Sequence, residues 1–187
     1  MPDDDLTNTI NRAKPGIAKY LAIMDKVDAV DVSTDASFQS MFKGFYRVRQ
    51  KPVAWYSAYF SLMQQLKGSR PTFDVVLDSL STALGNNVCE ASFSSKLVAT
   101  LDPWQPVWDK YVLANTGHKP PASTAPDKFA QAKRGYASIT SWYATFLASK
   151  NGKCWIRAFN DNVDQYWKVT DLKKVDFILW QSRDQDG

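Results

Sequence analysis

The residues best placed to do chemistry lie in one stretch, from Cys89 to Leu113. It holds the sole glutamate of the chain, Glu90, then Lys96 inside a serine-rich segment, then the break Asp102-Pro103-Trp104-Gln105-Pro106. Asp109 follows, between Trp108 and Lys110. A carboxylate held against a tryptophan in a cleft loses hydration, which raises its proton affinity and suits it to general-base work. Trp104 and Trp108 are flat enough to stack a planar ligand or an extruded base, an interaction worth roughly 1–3 kcal/mol per base.

Each of these features also has a purely structural use. Glu90 and Asp109 stand near expected helix starts, where a carboxylate complements the dipole and caps free N–H groups. Lys96 shares a polar strip with Ser92 and Ser94, opposite Phe93, Leu97 and Leu101, and that strip can face nucleic acid, a ligand or water. The Gly85-Asn86-Asn87 turn between two helices can offer backbone N–H groups to a phosphate, or can be a plain helical hairpin. Both tryptophans can equally fill a corner of the core.

Other constellations carry less. His118 is the only histidine and sits in a proline-rich loop, which excludes His-based triads and multi-His metal sites. Asp161, Asp164, Asp171 and Asp176 lack the glycine and terminal glutamate of a calcium loop. Cys89 and Cys154 have no metal-like spacing and read as reduced, buried thiols. No metal and no cofactor is expected. Lys43, Arg47, Arg49 and Lys51 interleave with Phe45 and Tyr46, a pattern that suits nucleic acid and an ordinary helix exterior alike.

Helical periodicity must position these groups. Phe38, Met41, Phe42, Phe45 and Tyr46 recur at steps of three and four behind the cap candidates Ser33, Thr34 and Asp35. Trp55, Tyr59, Phe60, Met63 and Leu66 form a second stripe, and Phe73, Val76, Leu77, Leu80 and Leu84 a third that stops at Gly85. Phe93, Leu97, Val98 and Leu101 mark the next helix, ended by Asp102-Pro103 because proline disfavours helical geometry in its predecessor. Val107, Trp108, Tyr111 and Val112 start a short one. A Pro-rich loop over 117–126 separates it from the longest stripe, Phe129 to Phe146, which Asn151-Gly152 is expected to break. Two last helices hold Trp155 to Phe159 and Leu172 to Trp180. The expected architecture is one all-α domain over residues 1–187, with roughly eight or nine helices and a flexible start over 1–15.

At 187 residues, such a domain buries roughly 70% of the surface its unfolded chain exposes. The net charge is +4, with acids in excess before Ser40 and bases after it. A basic body is suited to a polyanion, through phosphate contacts and counterion release, and equally to solvated helix faces. No apolar run approaches the roughly 18 residues of a membrane span. The start, Met1-Pro2-Asp3-Asp4-Asp5, lacks a basic leader, so a cytosolic protein is expected. Its sequence specifies no oligomeric state.

Residues 81–113 resemble the helix-hairpin-helix DNA glycosylases. Leu84-Gly85-Asn86-Asn87-Val88 stands where that family has its hairpin, and Pro106-Val107-Trp108-Asp109-Lys110-Tyr111-Val112 where it has its acidic motif. The resemblance implies DNA as partner and hydrolysis of an N-glycosidic bond in a flipped nucleotide. It makes Asp109 the catalytic carboxylate, gives Trp104 or Trp108 the extruded base, and gives Gly85, Asn86, Asn87, Lys96 and Lys110 the nucleic-acid backbone. Two non-catalytic readings stay open beside it. One is a nucleic-acid-binding module in which Asp109 only caps a helix. The other is a protein-interaction domain, with the aromatic helices 53–66 and 128–147 as its apolar surface. Separately, Phe45 to Arg49, Ser92 to Leu97 and Lys174 to Trp180 resemble segments of small bacterial proteins, a likeness that implies no activity.

Overall fold

Alternation of buried and exposed positions along each stripe becomes nine α-helices and one 3-10 turn among the described residues, which are 3–48, 50–85 and 87–182 of a computed structural model. The helices are α1 (Asp3–Val27), α2 (Ala36–Phe45), α3 (Val53–Leu66), α4 (Phe73–Leu84), α5 (Ala91–Leu101), α6 (Lys110–Asn115), α7 (Lys128–Ala148), α8 (Lys150–Asn162) and α9 (Asp171–Gln181). The all-α expectation is met.

The described part of the start is helical. From Asp3 onward it is one helix, and Leu6, Ile10, Ala13, Ile17, Tyr20, Ile23 and Val27 all point into the core at helical spacing. Pro15 lies inside this helix; it removes one N–H donor without stopping it. Local signals set most other ends. The Asp35 carboxylate accepts from the Phe38 N–H at 2.6 Å, Thr72 caps α4, and Thr170 caps α9. Gly85 closes α4 in the left-handed conformation, at φ 61°.

Two helices are central. On α5 every residue from Ser94 to Thr100 is buried, and on α9 every residue from Leu172 to Leu179. Burial on all sides marks an interior helix. α1, α3 and α4 pack around α5, while α1, α6, α7 and α8 pack around α9, so α1 joins the two groups. Aromatic contacts fill the space between: Trp55 stacks on Tyr59 at 4.9 Å, and Phe73 on Tyr136 at 4.0 Å. The apolar stripes of 53–66 and 128–147 are therefore used internally, through Trp55, Tyr59, Phe60 and Met63 in α3 and Tyr136, Ile139 and Tyr143 in α7. No helix among the described residues is long and apolar enough to cross a membrane. Cys89 and Cys154 are free thiols, and Cys154 is exposed rather than buried, because α8 turns it outward.

The junction of α7 and α8 falls earlier than the Asn151-Gly152 pair. Ser149 ends α7 and caps α8, its hydroxyl accepting from the Gly152 N–H at 3.0 Å. Gly152 then lies in the first turn of α8, where an added Cβ would stand 2.0 Å from the Phe146 carbonyl oxygen. Backbone cannot yield as a side chain does. Gly152→Ala is therefore expected to lower stability by about 2 kcal/mol or more, although alanine favours helix by roughly 1 kcal/mol over glycine. A urea titration checks this, and an unchanged or higher midpoint would refute the close approach.

Candidate functional site

α1, the end of α2, α5, the 102–109 connection, α6 and α9 converge on a cavity of about 50 Å³. At roughly 30 Å³ per water this is the space of one or two waters, about a third of the cavity volume that takes up a benzene ring. Tyr20, Phe45, Tyr46, Phe177 and Trp180 supply aromatic walls, and Lys96, Asp109, Lys173 and Asp176 supply charge. Half-exposed Asp109 and Trp180 mark where the cavity meets solvent, while Lys96, Lys173 and Asp176 are buried.

Asp176 organises the inner wall. One carboxylate oxygen accepts from the Tyr143 hydroxyl at 2.5 Å and the other from the Lys173 ammonium at 2.8 Å. Burial raises the proton affinity of the Tyr143, Tyr20 and Tyr46 phenols, and the charge of Asp176 raises each of them further. All three remain protonated donors. Tyr46 is also linked to the Thr100 hydroxyl, at 3.3 Å.

Lys96 is handled differently. Its ammonium donates to the Ser92 hydroxyl at 2.8 Å and has no ion-pair partner among the described residues. It stands 5.0 Å from the Phe93 ring centre and 5.9 Å from that of Tyr46, a cation–π setting. Desolvation pulls its pKa below the usual lysine value, and the Asp109 and Glu90 carboxylates pull the other way.

Asp109 is the cap of α6, which begins one residue after it. One carboxylate oxygen accepts from the Tyr111 N–H at 2.9 Å, and Asp109 also lines the cavity. The connection before it is held to three helices. The Trp108 N–H donates to Ser95 Oγ of α5 at 2.8 Å, the Tyr136 hydroxyl of α7 donates to the Pro106 carbonyl at 2.9 Å, and the Thr170 hydroxyl donates to the Pro103 carbonyl at 2.7 Å. α6 is tied to the end of α9 by Asn115, whose amide donates to the Leu179 and Ser182 carbonyls at 3.1 and 3.3 Å. The His118 ring bonds Thr116 and Ser138 and so fastens the start of the 117–126 loop.

Of the residues singled out by sequence, Asp109 and Lys96 meet in this cavity. Lys96 cannot hold a nucleic-acid backbone as expected, because its helix is enclosed and its amine points inward at 8% exposure. Trp108 is not a stacking platform for a base either. Its ring is 4% exposed, lies parallel to Phe73 at 6.3 Å, and rests so close to Gly135 that a Cβ there would meet it at 2.8 Å. Trp104 is 57% exposed and does not line the cavity. Lys110 is exposed beside Asp109, its ammonium 4.5 Å from the Tyr111 ring centre. Gly85 and Asn87 lie on the exposed α4–α5 turn away from the cavity, and Asn86 lies outside the described residues. Beyond that turn, Glu90 occupies the start of α5, bound to the Lys51 ammonium at 2.8 Å and the Trp55 indole N–H at 3.1 Å.

Sequence reasoning did not find Lys173, Asp176, Tyr143, Tyr20 or Trp180 as members of a site. The available signal was in α9, where Lys173, Lys174 and Asp176 interrupt a helix otherwise apolar on every side. Lys174 takes no part in the cavity and pairs with Asp171 at 2.8 Å. No protein-family model, no curated protein and no solved structure matches the chain.

A lysine whose folded-state pKa is depressed binds its proton more tightly when unfolded. Protonated Lys96 therefore costs stability at neutral pH, and that cost fades as pH rises from its folded pKa towards the ordinary lysine value. Lys96→Met should raise the urea midpoint at pH 7, with a gain that shrinks at alkaline pH. A destabilised variant, or a gain that grows with pH, would contradict the assignment of Lys96 as a buried, poorly paired amine.

Proposed function

We propose that the protein hydrolyses an N-glycosidic bond in a nucleotide turned out of a nucleic-acid strand, with Asp109 as the catalytic carboxylate. The observation that carries this reading is the position of Asp109. Its helix cap fixes the side chain, yet it borders the half-exposed rim of an aromatic-walled cavity. A base brought against the aromatic side chains of that rim leaves its sugar beside the carboxylate. The C1′–N bond then breaks with its electron pair leaving on the base, the carboxylate stabilises the sugar cation, and water adds to C1′ while its proton passes to Asp109 or to solvent. Two exposed cations flank this rim: Lys110, next to Asp109, and Arg47, whose guanidinium lies 5.8 Å from the Trp180 ring centre. Their charge suits contacts to phosphates, and exposed Trp104 suits stacking on a neighbouring base.

The same helix cap favours a second reading, in which Asp109 is structural and the protein binds nucleic acid without chemistry. Asn separates the two, because it caps a helix about as well as Asp. For the catalytic reading, Asp109→Asn should keep the thermal midpoint and duplex affinity while base release falls about 100-fold or more. Release is read as alkali-labile sites in duplexes carrying single altered bases. Base release by Asp109→Asn equal to wild type rules the catalytic role out. Salt-sensitive binding without release from any duplex supports the second reading.

A further inference from the structure

We propose that the outer face of α8 is a nucleic-acid contact, in which Lys150, Lys153 and Arg157 meet backbone phosphates. The inference rests on the reading that the partner is a nucleic acid, and it adds a binding surface outside the cavity.

The charges of α8 are unfavourable for a helix left in water. Lys150 is its first residue and Lys153 follows within about one turn, with no acid there to answer the positive end of the helix dipole. Lys150 and Lys153 are three residues apart, and Lys153 and Arg157 four, so each pair of like charges shares one face and repels. All three side chains are exposed, and none forms an ion pair among the described residues. Asp161, the sole acid of the helix, stands in its last turn and forms no ion pair either. Other helical lysines do find carboxylates: Lys26 with Asp35, Lys133 with Asp78, Lys174 with Asp171. The adjoining α1 does not supply the missing acid. Over residues 6–24 it carries Arg12, Lys14 and Lys19, all exposed and without ion pairs, and no carboxylate.

A rule of helix stability broken on an exposed face points to a partner that brings the missing negative charge. That partner carries several charges, because at 1.5 Å per residue the three cations span about 10 Å of helix. Backbone phosphates supply them at regular intervals, and cations that meet them release condensed counterions. An anionic membrane answers the face less well. Helices that lie on a bilayer bury an apolar side among the headgroups, whereas the apolar side of α8 faces inward, with Phe159 buried and Trp155 edge-on to Phe146 of α7 at 4.9 Å. Beside the cations, the outward residues are Asn151 and Cys154.

Duplex binding and a footprint at Cys154 test this. In the triple variant Lys150→Gln, Lys153→Gln, Arg157→Gln, duplex affinity near physiological salt should fall about tenfold or more, and the slope of log affinity against log salt should flatten by about 2 to 3. Its thermal midpoint should match or exceed that of wild type, because repulsion is removed. A second variant, Arg70→Gln, Lys119→Gln, Arg134→Gln, removes the same charge from exposed positions elsewhere and should keep most of the affinity. Cys154 is exposed next to Lys153, so saturating duplex should slow its alkylation by N-ethylmaleimide severalfold, with half-buried Cys89 as internal reference. Wild-type affinity and slope in the α8 variant overturn the proposal. Equal losses in both variants, unchanged alkylation of Cys154, or no duplex binding by wild type overturn it too. Binding to phosphatidylserine vesicles but not to duplex overturns it in favour of a membrane surface. Base release is a separate measurement: loss of affinity in the α8 variant, with no base released from any duplex, supports this surface while refuting catalysis by Asp109.

Discussion

A carboxylate fixed in the middle of a helical protein imposes conditions on everything near it. Asp176 sits on one of the two central, enclosed helices, and its charge must be met by donors close at hand. Lys173 and Tyr143 meet it directly. Its field also acts on Tyr20, Tyr46 and Tyr136, whose phenols it helps to keep protonated. These tyrosines come from α1, the end of α2 and α7, so one buried charge sets the polar character of a region shared by several elements. The cavity beside it inherits neutral hydroxyls, one ion pair, the Asp109 carboxylate and one nearly bare amine.

The helices were legible because their apolar residues repeat at three and four. That rule placed α2, α3, α4, α7 and α9 close to where they lie. It failed for α1, where an acidic beginning and Pro15 obscured the spacing of Leu6, Ile10, Ala13 and Ile17. It also failed for the polar side of α5, which reads as a solvated strip. Small hydroxyl side chains can close bonds within their own helix, so sequence polarity there does not require water: Ser95 donates to the Ser92 carbonyl at 2.9 Å and Thr100 to that of Lys96 at 2.7 Å. Lys96 entered the interior with them.

The candidate site was legible only in part for a related reason. Asp109 drew attention through its neighbours, because proline, tryptophan and a helix start are local signals. Lys173 and Asp176 are about as far along the chain from Asp109 as α6 is from α9, and nothing local reports that the two helices adjoin. Trp108 shows the opposite error. Its place beside Asp109 suggested a shared role, but the Asp109 N–H bonds the Val107 carbonyl in a tight turn centred on Trp108, and the two side chains leave it in different directions. Asp109 therefore reaches the cavity while Trp108 packs between Phe73 and Gly135. Adjacency in sequence is poor evidence of a common site where the backbone is irregular.

The connection from Asp102 to Asp109 contains two prolines and no regular helix, yet it is mounted at three points on α5, α7 and the start of α9. Mechanically it is a bracket rather than a tether. A small rotation of α7 would move the Pro106 carbonyl through Tyr136, and a shift of α9 would move Pro103 through Thr170. Either displacement ends at Asp109, the first residue after the mounts. The carboxylate at the rim thus takes its position from three helices at once, and a substitution on the far side of α7 can misalign it without touching the cavity.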